Sequence, residues 1–153
     1  MSNGMEKFTK DYYAAWNSHD WEKLSSFLTD DFFYEDVAEG RAAHGKQEMK
    51  AYYADMLVWS ADMKFEMKSL LTSGNRAVSE WVMSGTHTGD IPTLKATGKK
   101  HSVRGVAVVE LRDGKICRET EYWNMAAFLQ QIGLLGTSLN WFGSLMMRLM
   151  MRH

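Results

Sequence analysis

An α+β domain, with a strongly curved antiparallel sheet wrapped round helices, is the fold class this sequence predicts, and three observations predict it. Apolar residues recur at steps of three and four through the first sixty positions, the period changes to two from Met63, and a helical pattern returns near Met125. Residues 5–17 set Met5, Phe8, Tyr12, Ala15 and Trp16 along one helical stripe. Asn17-Ser18-His19-Asp20 breaks that stripe, and Asp20 caps a second short helix running to Leu28, with Trp21, Leu24, Phe27 and Leu28 on its buried side. Thr29-Asp30-Asp31 is expected to end it, 32–37 to form a short strand, 40–45 a loop, and 46–59 a helix turning Met49, Tyr52, Tyr53, Met56 and Leu57 inward. Phe65, Met67, Ser69 and Leu71 alternate with lysines and Glu66, which predicts a strand that turns at Gly74-Asn75 into a second, 76–88. A connection containing Pro92 and Gly98 leads to a third long strand over 100–111, Arg112-Asp113-Gly114 turns it into a fourth over 115–123, and a closing helix begins near Met125.

The 153 residues carry no repeat, linker or low-complexity segment, so residues 1–136 read as one domain. Eighteen Lys plus Arg against 19 Asp plus Glu leave no basic excess for phosphate contacts, which argues against nucleic acid as a partner. The lone Cys117 has no intramolecular partner, and MSNGMEKF lacks the basic and apolar regions of a signal peptide; both point to a reducing, cytoplasmic setting. No stretch has the 18 uninterrupted apolar residues of a membrane span. Residues 137–153 form a nearly all-round apolar, Met-rich segment whose only formal charges are Arg148 and Arg152. It is expected to be a helix packed on its own domain or at a dimer interface; an adaptable ligand or protein surface and a membrane-surface helix are the other readings.

The chemistry is not announced by any standard motif. There is no G-x-G-x-x-G, Walker loop, G-x-S-x-G, H-E-x-x-H or cysteine pair, and the histidines at 19, 44, 87, 101 and 153 lack ligand spacing, so neither a cofactor nor a metal is expected. What remains is strand parity. One face of 115–123 carries Cys117, Glu119, Glu121 and Trp123, the other Ile116, Arg118, Thr120 and Tyr122, and hydrophobicity alone leaves open which is inside. Ser79, Trp81, Met83, Gly85 and His87 on one strand, and Val103, Gly105, Ala107, Val109 and Leu111 on the next, suit a concave wall. Glycine and alanine in mid-strand leave room against the sheet for a ligand or for a helix.

The run YYAAWNSHDWEKLSSFLTDDFFYEDVAEGRAAHG, followed in order by VSEWVMSGTHTGDIP, ATGKKHSVRGVAVVELRDGKI and YWNMAAFLQQIGLLG, resembles the SnoaL-like polyketide cyclase and ketosteroid isomerase-like branches of the nuclear-transport-factor-2-like (NTF2-like) superfamily, over roughly residues 5–136. The resemblance implies a cone-shaped barrel whose mouth admits a small hydrophobic molecule, commonly in a homodimer and without a cofactor. It places Asp36 where the isomerases keep the carboxylate that shuttles a proton at carbon, and Tyr12 where they keep an oxyanion-hole tyrosine. The second oxyanion donor of those isomerases falls on Ala107, and the general acid/base aspartate of the cyclases on Asn124.

The same alignment turns Glu119, Glu121 and Trp123 into the pocket with Trp81, Met83 and His87. Two carboxyl groups in an apolar cavity raise each other's pKa by desolvation and repulsion, which makes Glu121 the substitute for the missing aspartate. The resulting expectation is a cofactor-free isomerase or cyclase acting on a hydrophobic cyclic or polyketide-like carbonyl compound. Asp36, Glu121, His87 and Tyr12 would be catalytic, and Trp81, Met83, Ala107, Glu119, Trp123 and Asn124 would contact the substrate. The alternatives are a binding protein using the same pocket, and an epoxide-type hydrolase, which needs an Asp-Arg-Asp set; Arg104, on the face of Val106 and Val108, is not placed to complete one.

Overall fold

The computed structural model describes residues 2–90 and 95–135, so Pro92 and the 137–153 segment lie outside the described residues. The elements follow in the order α1 (Ser2–Asn17), α2 (Trp21–Ser25), β1 (Leu28–Asp36), β2 (Arg41–His44), α3 (Gly45–Trp59), β3 (Lys64–Ser73), β4 (Arg76–Thr86), β5 (Lys100–Arg112), β6 (Lys115–Trp123) and α4 (Met125–Ile132). The strands form one six-stranded sheet in the order β2-β1-β6-β5-β4-β3, curved round the helices as a cone of the NTF2-like kind. Every neighbouring pair is antiparallel except β1 and β6, which run parallel. That parallel pair sets Tyr34 opposite Glu119 and Asp36 opposite Glu121. No described helix is long and apolar enough to cross a membrane.

Helix α1 buries Thr9, Tyr12, Tyr13, Ala15 and Trp16, and Asn17 ends it by exchanging two 2.8 Å hydrogen bonds with the main chain of Phe65, which ties it to β3. Asp20 caps α2 as expected, accepting from the Glu22 and Lys23 amides. The helix stops at Ser25 and not at Leu28, because the Phe27 carbonyl takes the Ile116 amide of β6 at 2.8 Å and Leu28 already pairs with Ile116. Thr29-Asp30-Asp31 therefore belongs to a strand, and four residues of the expected 40–45 loop form β2 against it. These polar and short segments carry no alternation of their own; a neighbouring strand supplies their hydrogen bonds.

Two extra residues reset strand parity. In β3 the pairing shifts between Met67 and Ser69, so Leu71, expected inside, is 73% exposed. In β6 it shifts at Cys117, so Ile116, expected opposite Glu119, shares the interior with it. The β5–β6 hairpin turns at Asp113 and Gly114, both with positive φ (53° and 75°), the geometry of a type I′ turn that glycine adopts at little cost.

Candidate active site

Phe32, Tyr34 and Asp36 alternate inward along β1, and Glu119, Glu121 and Trp123 do so along β6, because the strands are pleated with period two. The parallel pairing therefore stacks three carboxyl groups inside the cone, with Asp36, Glu119 and Glu121 only 2%, 2% and 7% exposed. Each has its own tyrosine. The Tyr12 hydroxyl donates to Glu119 Oε2 at 2.6 Å, the Tyr52 hydroxyl donates to Asp36 Oδ2 at 3.0 Å, and the Tyr34 hydroxyl lies close enough to Glu121 to favour its charged form. Asp36 also accepts the Trp123 indole N–H on Oδ2 at 2.8 Å and the Glu39 amide on Oδ1 at 2.8 Å. All three bonds to Asp36 are ones a carboxylate, which can only accept, satisfies.

Among the described residues no lysine or arginine pairs with Glu119 or Glu121. Burial pushes the Glu119 carboxyl up to about 7, an effect that the Tyr12 hydrogen bond partly offsets. Burial, then the charges of Glu119 and Asp36, hold Glu121 well above the ordinary carboxyl range. The Tyr12 phenol is likewise held far above its usual value by burial and the adjacent Glu119. Burial and repulsion thus favour the protonated form of Glu121 relative to an ordinary glutamate.

Beside this ladder opens a cavity of about 520 Å³. Trp59, Trp123, Phe128, Leu129 and Ile132 form its apolar side, while Glu39, Arg41, Asp55, His87 and Asp90 supply polar groups. Rings fix the wall: Phe128 meets Trp59 edge-on at 5.1 Å and Trp123 at 5.8 Å between centroids. Arg41 lies over the Tyr52 ring at 4.6 Å and pairs with Asp55 at 3.1 Å.

The structure brings His87 and Trp123 together at this cavity and sets Asp36 directly behind Trp123. Trp81, Met83, Ala107 and Glu119, expected along a ligand wall, are packed in the interior and do not line the cavity. The physical reason is at Gly105, where a Cβ would come within 2.3 Å of the Trp81 ring: the space left by the glycine is filled by that indole. The space at Gly85 is likewise taken by Ser60 and His101. Tyr12 and Glu121 also lie in the interior, and Asn124 is exposed and caps α4 by accepting the Ala127 amide at 2.9 Å. Arg104 is exposed. Among the described residues no group of three or more His, Cys, Asp or Glu side chains is placed to hold a metal ion.

A family model for SnoaL-like polyketide cyclases matches residues 6–132. The chain belongs to that family. Solved structures share the fold of this SnoaL-like chain at low identity. AclR of Streptomyces galilaeus is 22% identical with a TM-score of 0.75, over 86% of this chain and 85% of AclR. A protein with a ketosteroid isomerase-like fold from Catenulispora acidiphila, in complex with trimethylamine, is 19% identical with a TM-score of 0.74, over 84% of this chain and 93% of that one. TerC, co-crystallised with polyporic acid, is 18% identical with a TM-score of 0.69, over 82% of this chain and 95% of TerC. Curated protein sequences yield no match.

Several residues of this SnoaL-like site escaped the sequence reading. Tyr52 read as an inward helix residue and Tyr34 only as part of a short strand, and their nearness to Asp36 and Glu121 gives their hydroxyls a task. Arg41 sat in the expected 40–45 loop and Glu39 just before it, in no expected element. Trp59 ends α3 and Phe128 sits in the middle of α4, and their convergence is a tertiary fact. A buried phenol needs a partner, so tyrosines on the strand and helix faces beside the carboxylates were the available signal.

Proposed function

We propose that the protein is an isomerase- or cyclase-type enzyme that moves a proton at a carbon next to a carbonyl of a hydrophobic cyclic compound, without a cofactor. The observation that carries this reading is the 2.8 Å bond from Trp123, a wall of the cavity, to Asp36. It supports a carboxylate one side chain behind the bound molecule, held in a fixed orientation by Tyr52, Trp123 and the Glu39 amide. In this reading the substrate displaces the Trp123 indole from Asp36, and Asp36 takes the α-proton. Asp36 then returns a proton to the substrate, with Glu121 in register beside it and raised well above the ordinary carboxyl range. Tyr12 acts through Glu119 as a positioning residue, and His87 orients the substrate from the cavity wall. The aromatic lining fits a fused-ring compound, and TerC, of the same fold, was crystallised with polyporic acid.

The test is protein-dependent deuteration of 1-tetralone at C2 in D2O, followed by NMR. Exchange that falls roughly 100-fold or more in Asp36→Asn, with affinity kept, is the expected result. Exchange indifferent to that substitution, or absent for a ketone that binds, overturns it.

A second reading, a protein that binds the same ligands without turning them over, is favoured by a specific observation: Asp36, Glu119 and Glu121 are each engaged by a tyrosine and none lines the cavity. For the homodimer that the family resemblance implies, we propose the outer sheet face, where Tyr122 is 50% exposed opposite Val106. Light scattering of the full chain at several concentrations checks it.

A further inference from the structure

His87 is 1% exposed and lines the cavity, yet its Nε2 is buried without a hydrogen-bond partner among the described residues. A polar nitrogen left in that state is costly, so its counterpart is to be sought in what the cavity binds. The other ring nitrogen shows what Nε2 offers. Nδ1 lies 3.3 Å from the main-chain N–H of Thr97 and 3.1 Å from the Thr97 hydroxyl. An amide N–H can only donate, so Nδ1 carries a lone pair there; the hydroxyl can rotate to donate to it as well. A neutral imidazole with its lone pair on Nδ1 has its proton on Nε2. Both the Nδ1–H tautomer and the imidazolium would set one N–H against another. The arrangement is rigid: the His87 amide donates to the Lys99 carbonyl and the Gly98 amide donates to the His87 carbonyl, each at 2.9 Å.

We infer that the cavity's ligand docks an acceptor oxygen, of a carbonyl or phenolate, on Nε2–H of His87, and that the Thr97 main-chain amide fixes the tautomer that makes this donor available. The inference rests on the cavity being the substrate site, as proposed above, and adds the substrate feature that site selects. An apolar hydrocarbon of the same shape leaves Nε2–H unsatisfied, whereas a ring ketone removes the deficit and is held in one orientation. A proton leaving the ketone's α-carbon would put negative charge on the oxygen facing Nε2–H, so the same donor strengthens as the enolate forms.

The experiment uses the full chain with uniform nitrogen-15 labelling and two ligands, 1-tetralone and tetralin, which differ in the carbonyl. The expected spectrum of the free protein at neutral pH has His87 Nε2 as the protonated nitrogen and Nδ1 as the unprotonated one. The expected response to 1-tetralone is a shift of Nε2 and its proton that tetralin does not produce, with 1-tetralone binding about fivefold to tenfold more tightly. His87→Phe should erase that preference, and His87→Gln, whose side-chain amide reaches the same region, should restore part of it. The Nδ1–H tautomer, an imidazolium, or no response of Nε2 to 1-tetralone overturns the inference, and the unsubstituted protein alone decides these. Correct tautomer and ketone preference without C2 exchange would leave the docking in place and remove the proton-transfer reading.

Discussion

The Tyr12 hydroxyl donates to Glu119 at 2.6 Å across 107 positions of sequence, and both side chains are buried. The first helix is thereby joined to the last strand, and the hydroxyl that family resemblance offers to an oxyanion is already occupied. Its removal has a price in stability. Tyr12→Phe is expected to lower the unfolding free energy in urea by about 1–3 kcal/mol, the cost of leaving a buried acceptor unpaired. Glu119 should then titrate at a still higher pH, because the bond lost is one that favours the carboxylate.

Stability should also depend on pH through the same carboxyl. Its folded value of about 7 lies above the 4.5 of an ordinary glutamate, so the folded state holds the proton more tightly. The contribution is fully present below about pH 4.5 and is lost as pH rises through about 7. Glu121, shifted in the same direction, adds to the loss as pH rises. Urea titrations from about pH 4 to about pH 8 measure this, and Glu119→Gln should flatten the lower part of the curve.

Trp123→Phe keeps an aromatic wall and deletes the indole N–H that Asp36 accepts. Because the substrate has to displace that bond before Asp36 acts, and Tyr52 and the Glu39 amide still hold the carboxyl group, the C2 exchange rate should be kept or should rise by up to about 10-fold. A rate that falls about 10-fold or more would show that the indole bond is needed to orient Asp36 and is not the one the substrate displaces.

Gly105→Ala should destabilise the fold by about 1–3 kcal/mol in thermal or urea unfolding, because its Cβ would lie 2.3 Å from the buried Trp81 ring. Gly89→Ala should cost more, since there the added carbon meets the main-chain carbonyl of Val58 at 1.7 Å, which has no side-chain torsion to relieve it. At Gly4, where nothing lies within 4 Å, alanine should be tolerated.

Asn124→Ala should cost about 1 kcal/mol as a lost helix cap, and Asn124→Asp, which retains a capping oxygen, should leave both stability and exchange unchanged. A gain of exchange in Asn124→Asp would instead mean that the exposed cap position takes part in the chemistry.

Local pattern was enough for much of this protein. The stripe of Tyr12, Ala15 and Trp16, the cap at Asp20, the alternation in β4 and β5 and the Asp113-Gly114 turn each depend on residues close in sequence, whose spacing encodes a helix, a pleat or a left-handed turn. Tertiary structure decided the rest, because it turned on partners far along the chain. The parallel pairing of β1 with β6 made Thr29-Asp30-Asp31 a strand and stacked Asp36 on Glu121, and the extra residue at Cys117 brought Ile116 to the same side as Glu119. Parity counts residues along one strand and is blind to an insertion whose only sign is the register of its neighbour. Likewise the vacancy at Gly105 reads as ligand space until Trp81, 24 positions earlier and directly across the ladder, is found inside it. Which groups line the cavity and which seal the core is set by side-chain volume in three dimensions, a quantity that no spacing along the chain contains.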